Sequence, residues 1–188
     1  MEIELMQKAV FLDRDGTLIE EVNYLSRLED LRFFPYTREA LFSLKRAGFL
    51  LFVVTNQSGI GRGFFEESAM HGIHERIQSE MSGIIESFHF CPHLPEGGCI
   101  CRKPKTGMID AAVQNIVIDR ANSWFIGDKK LDIETGFNAG LRTALVKTGY
   151  GASHAAILDR SPNIIAENLG EAANAILRFP VAERSVNK

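Results

Sequence analysis

Lys8-Ala-Val-Phe-Leu-Asp13-Arg-Asp15-Gly-Thr17 (KAVFLDRDGT) is the stretch from which the fold can be read. Lys8–Leu12 is a short, nearly unbroken apolar run, as expected for a strand buried on both faces. The chain then turns polar at once, and Gly16 permits a sharp change of direction. The same grammar recurs further along. Phe49–Thr55 (FLLFVVT) is followed by Asn56-Gln57-Ser58-Gly59, and Ser123–Ile126 (SWFI) by Gly127-Asp128 and then Asp132. Thr143–Val146, Ile164–Ala166 and Phe88–Pro92 read as further strands. Helical spacing fills the intervals at Thr37–Ala47, Glu66–Ser87, Met108–Ile116, Asp132–Ala139 and Leu169–Phe179, with Thr37 a candidate N-cap and Gly48 a stop. Strands alternating with helices predict an α/β fold, a parallel sheet with helices on its faces.

The chain has 188 residues, 24 acidic and 21 basic, for a formal net charge of −3, with 45% hydrophobic residues. At roughly 100–200 residues per domain, residues 1–188 form one domain. The tail from Pro180 reads as frayed. A mildly acidic balance argues against a nucleic-acid or membrane-surface binder, which needs a basic patch. Ordinary hydrophobicity at low net charge argues against disorder. No apolar run approaches the ~20 residues that span a bilayer. The opening residues MEIELMQK lack the charged and apolar regions of a secretion signal, so the expected location is the cytoplasm. No uncovered apolar helix face stands out, which makes a monomer the default.

Three strand ends carry chemistry: Asp13-Arg-Asp15-Gly-Thr after the first, Thr55-Asn-Gln-Ser after the second, and Gly127-Asp128 with Asp132 after the third. In an open parallel sheet, ligands bind beyond the carboxyl ends of the strands, so these loops should converge. Each is weak alone; together and in order they point to phosphate chemistry. Asp13, Asp15 and Asp128 make a hard, all-oxygen pocket suited to Mg²⁺. With the ion offsetting charge repulsion, Asp13 can attack phosphorus. Asp15 can protonate the leaving alkoxide and then deprotonate the hydrolytic water. Thr55 offers a hydroxyl and a backbone N–H to phosphoryl oxygens. Lys103, in Arg102-Lys-Pro-Lys105, is the best candidate for the remaining positive charge.

Three cysteines fall within eleven residues: Cys91, Cys99 and Cys101, with His93 between them. Cys₃His is a common structural zinc set, and four protein ligands leave no open position for catalysis. Zinc would fold the Gly-rich loop 91–101 and present Arg102 and Lys103 to the site. His71 and His74 lie three apart on a predicted helix and read as a solvated surface. Phe33-Phe34 and Phe64-Phe65 read as core, while His89 and His154 suggest no role.

With these motifs in hand, the stretch from Ala9 to Gly149 resembles the haloacid dehalogenase-like phosphatases. DRDGT matches their DxDGT, Thr55 their second motif, Lys103 their lysine, and GDKKLD their acidic motif. The resemblance implies a Rossmann-like core with a minimal cap and phosphomonoester hydrolysis through an aspartyl-phosphate. It also implies Mg²⁺ on Asp13, the backbone carbonyl of Asp15 and Asp128, with Asp132 a helper through water. The zinc loop is similar to that of a subgroup containing heptose-bisphosphate and histidinol-phosphate phosphatases. Thr55-Asn-Gln-Ser-Gly-Ile-Gly-Arg-Gly63 resembles the heptose enzymes; the five-residue gap between His93 and Cys99 is closer to the histidinol-phosphate type. The longer match outweighs loop length, because loop insertions and deletions are thermodynamically cheap. The heptose pattern implies a small sugar bisphosphate as partner, with contacts at Glu21, Val22, Asn23, Tyr24, Thr55, Asn56, Gln57, Ser58, Arg102, Lys103 and Lys129. A phospho-accepting receiver domain would also place acidic residues and Thr at strand ends. It needs neither a zinc loop nor an acid at Asp15.

Overall fold

The computed structural model describes residues 6–182. The last six residues of the tail expected to fray therefore lie outside the described residues. Six strands form one parallel sheet: β1 (Lys8–Leu12), β2 (Phe49–Asn56), β3 (Ser87–Cys91), β4 (Trp124–Gly127), β5 (Arg142–Val146) and β6 (Ile164–Ala166). They are ordered β3-β2-β1-β4-β5-β6, every pair parallel. Val10 sits opposite both Leu51 and Trp124.

The alternation along β1 divides the core in two. Val10 and Leu12 join Leu51, Val53 and Ile126 under the helices α1 (Thr37–Arg46), α3 (Glu67–Glu80) and α7 (Leu169–Arg178). Ala9 and Phe11 join Phe52, Val54 and Phe125 on the other face, covered by α4 (Gly107–Ala112) and the end of α5 (Lys130–Asn138). Because these strands are covered on both sides, they read as continuous apolar runs rather than alternating ones. Among the described residues there are also two short helices: α2 (Ser58–Gly61) directly after β2, and α6 (Gly151–His154) after β5.

Several expectations need correction. The helix expected over Glu66–Ser87 stops at Glu80, because Ser82 and Gly83 take left-handed conformations, at φ 54° and 74°. Their N–H groups return to the carbonyls of Ser79 and Gln78, both at 3.0 Å, which is a Schellman cap. The freed residues cross to start β3. The helix expected over Met108–Ile116 ends at Ala112. Thr37 is the first helical residue, not a cap; its hydroxyl donates to Leu18 O at 2.7 Å and ties α1 to the loop after β1.

The chain reverses its direction of travel across the sheet between β1 and β4, which opens a crevice at their carboxyl ends. The described ends lie at the opposite pole. Gln7 exchanges hydrogen bonds with Val117 and Asp119. Ala182 pairs with Asn122, just ahead of β4.

Candidate active site

The crevice brings the three strand-end motifs together. Asp13 leaves β1, its N–H donating to Ile126 O at 2.9 Å, and its carboxylate meets Lys103 Nζ at 2.9 Å. Lys103 also donates to Asp132 at 2.6 Å and to Val54 O at 3.0 Å. All three charged groups are buried. Burial works against each charge, but the nearby cations, Lys103 foremost, hold the Asp13 carboxyl below its ordinary value. The same two carboxylates raise Lys103 above its own. Breaking such a buried pair costs about 3–5 kcal/mol, since the partner is left uncompensated. Asn56 secures the lysine from behind: its Oδ1 accepts the Lys103 N–H at 3.1 Å.

Asp132 spends both oxygens on the protein, one on Lys103 and one on the Lys129 N–H at 2.9 Å. Asp128 does not. Its Oδ2 accepts the Tyr150 N–H at 2.8 Å, while Oδ1 is buried without a hydrogen-bond partner. Burial, with Asp13 nearby, pushes Asp128 up to about 8. One oxygen from each of Asp13, Asp128 and Asp132 falls within 4.8 Å of the others. Asp128 Oδ1 meets only Lys129 Nζ, at 4.0 Å, and faces a second carboxylate, an arrangement with room for a further cation. The all-oxygen donor set fits Mg²⁺. Gly16 and Gly149, at φ +80° and +54°, let the backbone close around Asp128; a Cβ on either would lie 2.3 Å from Oδ2.

Asp15 faces the open cleft. Arg14 grips its carboxylate from below through Nε at 3.1 Å and a second nitrogen at 3.0 Å. Gln57 Nε2 reaches both Asp15, at 2.9 Å, and the Thr55 hydroxyl, at 2.9 Å. The cleft holds about 350 Å³ and is walled by Glu21, Val22, Asn23, Tyr24, Asn56, Gln57, Ser58, Arg102 and Lys129. Lys129 is tethered to Glu21 at 2.9 Å and lies over the Tyr150 ring at 4.9 Å. Of the expected contact residues, Thr55 and Lys103 lie in the floor rather than on the walls. Tyr150 and His154 also line the cleft and carried no sequence signal. They are delivered by α6, a helix of four residues, too short for a periodic pattern to reveal.

The cysteine segment closes on itself. Cys91 Sγ lies 3.2 Å from Cys101 Sγ and 3.6 Å from Cys99 Sγ, and His93 Nδ1 lies 3.5 and 3.3 Å from Cys91 and Cys101. Around a tetrahedral ion with Zn–S near ~2.3 Å, sulfurs would stand about 3.8 Å apart, so the cage fits zinc with small outward adjustment. Arg102 donates to His93 O at 3.0 Å, and Lys105 to Cys99 O at 2.5 Å, so the basic residues after the loop also brace it.

Two further readings change. His74 is not solvated: it is 5% exposed, stacks on Phe88 at 4.7 Å and meets Arg14 at 3.3 Å. Phe64 is not core; it is 59% exposed and packs edge-on against Tyr24 at the cleft mouth, 4.7 Å between centroids.

The family model for HAD-hydrolase-like proteins matches residues 100–172. A D-glycero-beta-D-manno-heptose-1,7-bisphosphate 7-phosphatase of Haemophilus ducreyi is 40% identical over 154 residues, covering 76% of this chain and 85% of the relative. One of Thermosynechococcus vestitus, named without an anomer, is 38% identical over 188 residues, covering 89% and 94%. Among solved structures, the D,D-heptose 1,7-bisphosphate phosphatase of B. bronchiseptica, complexed with magnesium and phosphate, superposes with a TM-score of 0.83 at 30% identity, covering 91% of this chain and 98% of the other. No described helix is long and apolar enough to cross a membrane. With its strand-end carboxylates, buried lysine and cysteine loop all in place, the chain belongs to the heptose-1,7-bisphosphate 7-phosphatase family of HAD-like hydrolases.

Proposed function

We propose that the protein removes the 7-phosphate of D-glycero-D-manno-heptose 1,7-bisphosphate, a step toward nucleotide-activated heptose for lipopolysaccharide core. The observation that carries this reading is the pairing of Asp13 with Lys103 beside the unpartnered oxygen of Asp128, below a cleft that offers Arg102 and Lys129. The floor suits one phosphate and the two cations of the wall suit a second.

The chemistry follows from the residues. An Asp13 oxygen attacks phosphorus, and the bond from phosphorus to the heptose oxygen breaks. Asp15 gives its proton to that departing oxygen, which would otherwise leave as a poor alkoxide. The resulting aspartyl-phosphate is attacked by water, whose proton Asp15 takes; phosphate departs and Asp13 is regenerated. The Thr55 hydroxyl and Lys103 hold the phosphoryl oxygens as their charge rises. Asp13, the backbone carbonyl of Asp15 and Asp128 would hold Mg²⁺, with Asp132 fixing the geometry around them. The ion supplies charge that offsets the repulsion between carboxylate and phosphate. Arg102 can grip the 1-phosphate with a bidentate fork, and Lys129 can approach it as a point charge. Glu21, Val22, Asn23 and Tyr24 line the wall that a sugar ring would meet, and Asn56 and Ser58 the wall opposite. Cys91, His93, Cys99 and Cys101 would hold Zn²⁺ in a purely structural role.

Phosphate release with Mg²⁺ should favour heptose 1,7-bisphosphate over histidinol phosphate by about a hundredfold, ~2.7 kcal/mol in the transition state. Both anomers should be supplied, and Asp13→Asn should abolish release from either. Equal or inverted preference between the two substrates would overturn the substrate assignment.

A further inference from the structure

Arg14 lies between the two halves of DRDGT, and neither its burial nor its partners are required by the chemistry above. It is 1% exposed, among the largest buried side chains of the protein. Two nitrogens grip Asp15, and the third group of its guanidinium, NH1, points away from the cleft to His74 Nε2 at 3.3 Å. His74 comes from α3, sixty residues away, and is itself fixed by stacking on Phe88 of the edge strand β3 at 4.7 Å. A chain of contacts therefore runs from the outer edge of the sheet, through His74 and Arg14, to the carboxyl group at the cleft.

We infer that His74 is a positioning residue for catalysis, holding the Arg14 fork so that Asp15 presents its carboxyl to the leaving oxygen. The inference rests on the reading of Asp15 as the proton donor. Three observations argue for it. First, a guanidinium donates through all its nitrogens and accepts nothing, so its partner on NH1 must be an acceptor; an imidazole can be one only when neutral. Burial, then the Arg14 charge, bring His74 down to about 3, so it stays neutral and accepting at any physiological pH. His71 is the other histidine that bears on it, and Phe88 and Phe90 present only rings. Second, the fork fixes the carboxyl plane of Asp15. Oδ2 takes N–H groups from both Arg14 and Gln57, whereas Oδ1 has Arg14 alone and keeps a lone pair for a transferable proton. Third, with His74 replaced by an apolar side chain, NH1 would be buried without an acceptor. The guanidinium would then rotate toward other oxygens and carry Asp15 with it.

The test uses the dependence on leaving group. A sugar alkoxide needs the proton from Asp15 and a p-nitrophenolate does not, so misplacing the acid harms only the first. The parameter is kcat/KM, which reports the steps up to departure of the leaving group. For His74→Leu we expect kcat/KM on heptose bisphosphate to fall about tenfold or more, and on p-nitrophenyl phosphate by less than about threefold. His74→Gln, whose amide oxygen can accept from NH1, should restore the heptose rate to within about threefold. Should His74→Leu not fold, His74→Asn serves in its place, since its shorter amide falls away from NH1 and should show the same selective loss. Equal losses on both substrates, or no loss with only a lower Tm, would mean that His74 merely packs. Asp15→Asn separates the two ideas. If it fails to discriminate between the substrates, the proton-donor reading falls; if it discriminates and the His74 variants do not, only this inference falls.

Discussion

A methyl group on Gly16 would lie 2.3 Å from Asp128 Oδ2 on a backbone held at φ +80°, so Gly16→Ala forces either the loop or the carboxylate to move. The left-handed backbone alone costs about 1–2 kcal/mol for a residue with a Cβ. The larger consequence is at Asp128, whose free oxygen is the one best placed for a cation. Gly16→Ala should therefore raise the Mg²⁺ concentration for half-maximal activity as well as lower Tm. A variant with an unchanged Mg²⁺ requirement would show that Asp128 is not the group the ion needs. Single residues also mark where reading the sequence stopped. Asp13, Lys103 and Asp128 were readable because each ends an apolar strand or sits in a short motif. His74 was not, because what buries it is Phe88 on β3 and the distant Arg14, and helical spacing alone describes only its own helix.

Strands proved the most readable elements, since burial on both faces writes itself as an apolar run. The longer helices were placed correctly but not all their ends, since α3 is cut short by its left-handed cap, and the single-turn α2 and α6 were not read at all. The cysteine loop behaves as an element in its own right. Cys101 is two residues from Lys103, a tether of at most ~7 Å, so the position of the cysteine–histidine cluster limits where the lysine can stand. Cys99→Ser should lose stoichiometric zinc, seen by metal analysis, and lower Tm by more than it changes kcat, because the loop then lacks the binding energy that folds it. An unchanged melting curve with zinc retained would contradict that role.

Considered as a whole, the molecule gathers its buried carboxylates at one pole of the sheet, where Lys103 pairs with two of them and Asp128 has no hydrogen bond to one oxygen, and its stability should report this. Asp128 is raised from 3.8 to about 8 by burial and by Asp13, so between those values the folded protein keeps a proton that the unfolded chain releases. Stability without metal then falls as pH rises across that window. Mg²⁺ held by Asp128, as proposed, would take over the role of that proton, so its increment in Tm should be larger near pH ~8 than near pH ~5.5. Equal increments at both would mean that Asp128 ionises freely without the ion. The parallel sheet and the convergence of the motifs followed from the strands and the residues that end them, but the strand order and part of the cleft wall did not, since Tyr150 reaches the cleft through a local turn.

The two ends of the described chain are held at the pole away from all this, Gln7 against Val117 and Asp119, Ala182 against Asn122. A bead, sensor surface or carrier joined at residue 7 or residue 182 would thus leave the cleft facing free solution. Enzyme immobilised through either of these two positions should keep its access to substrate.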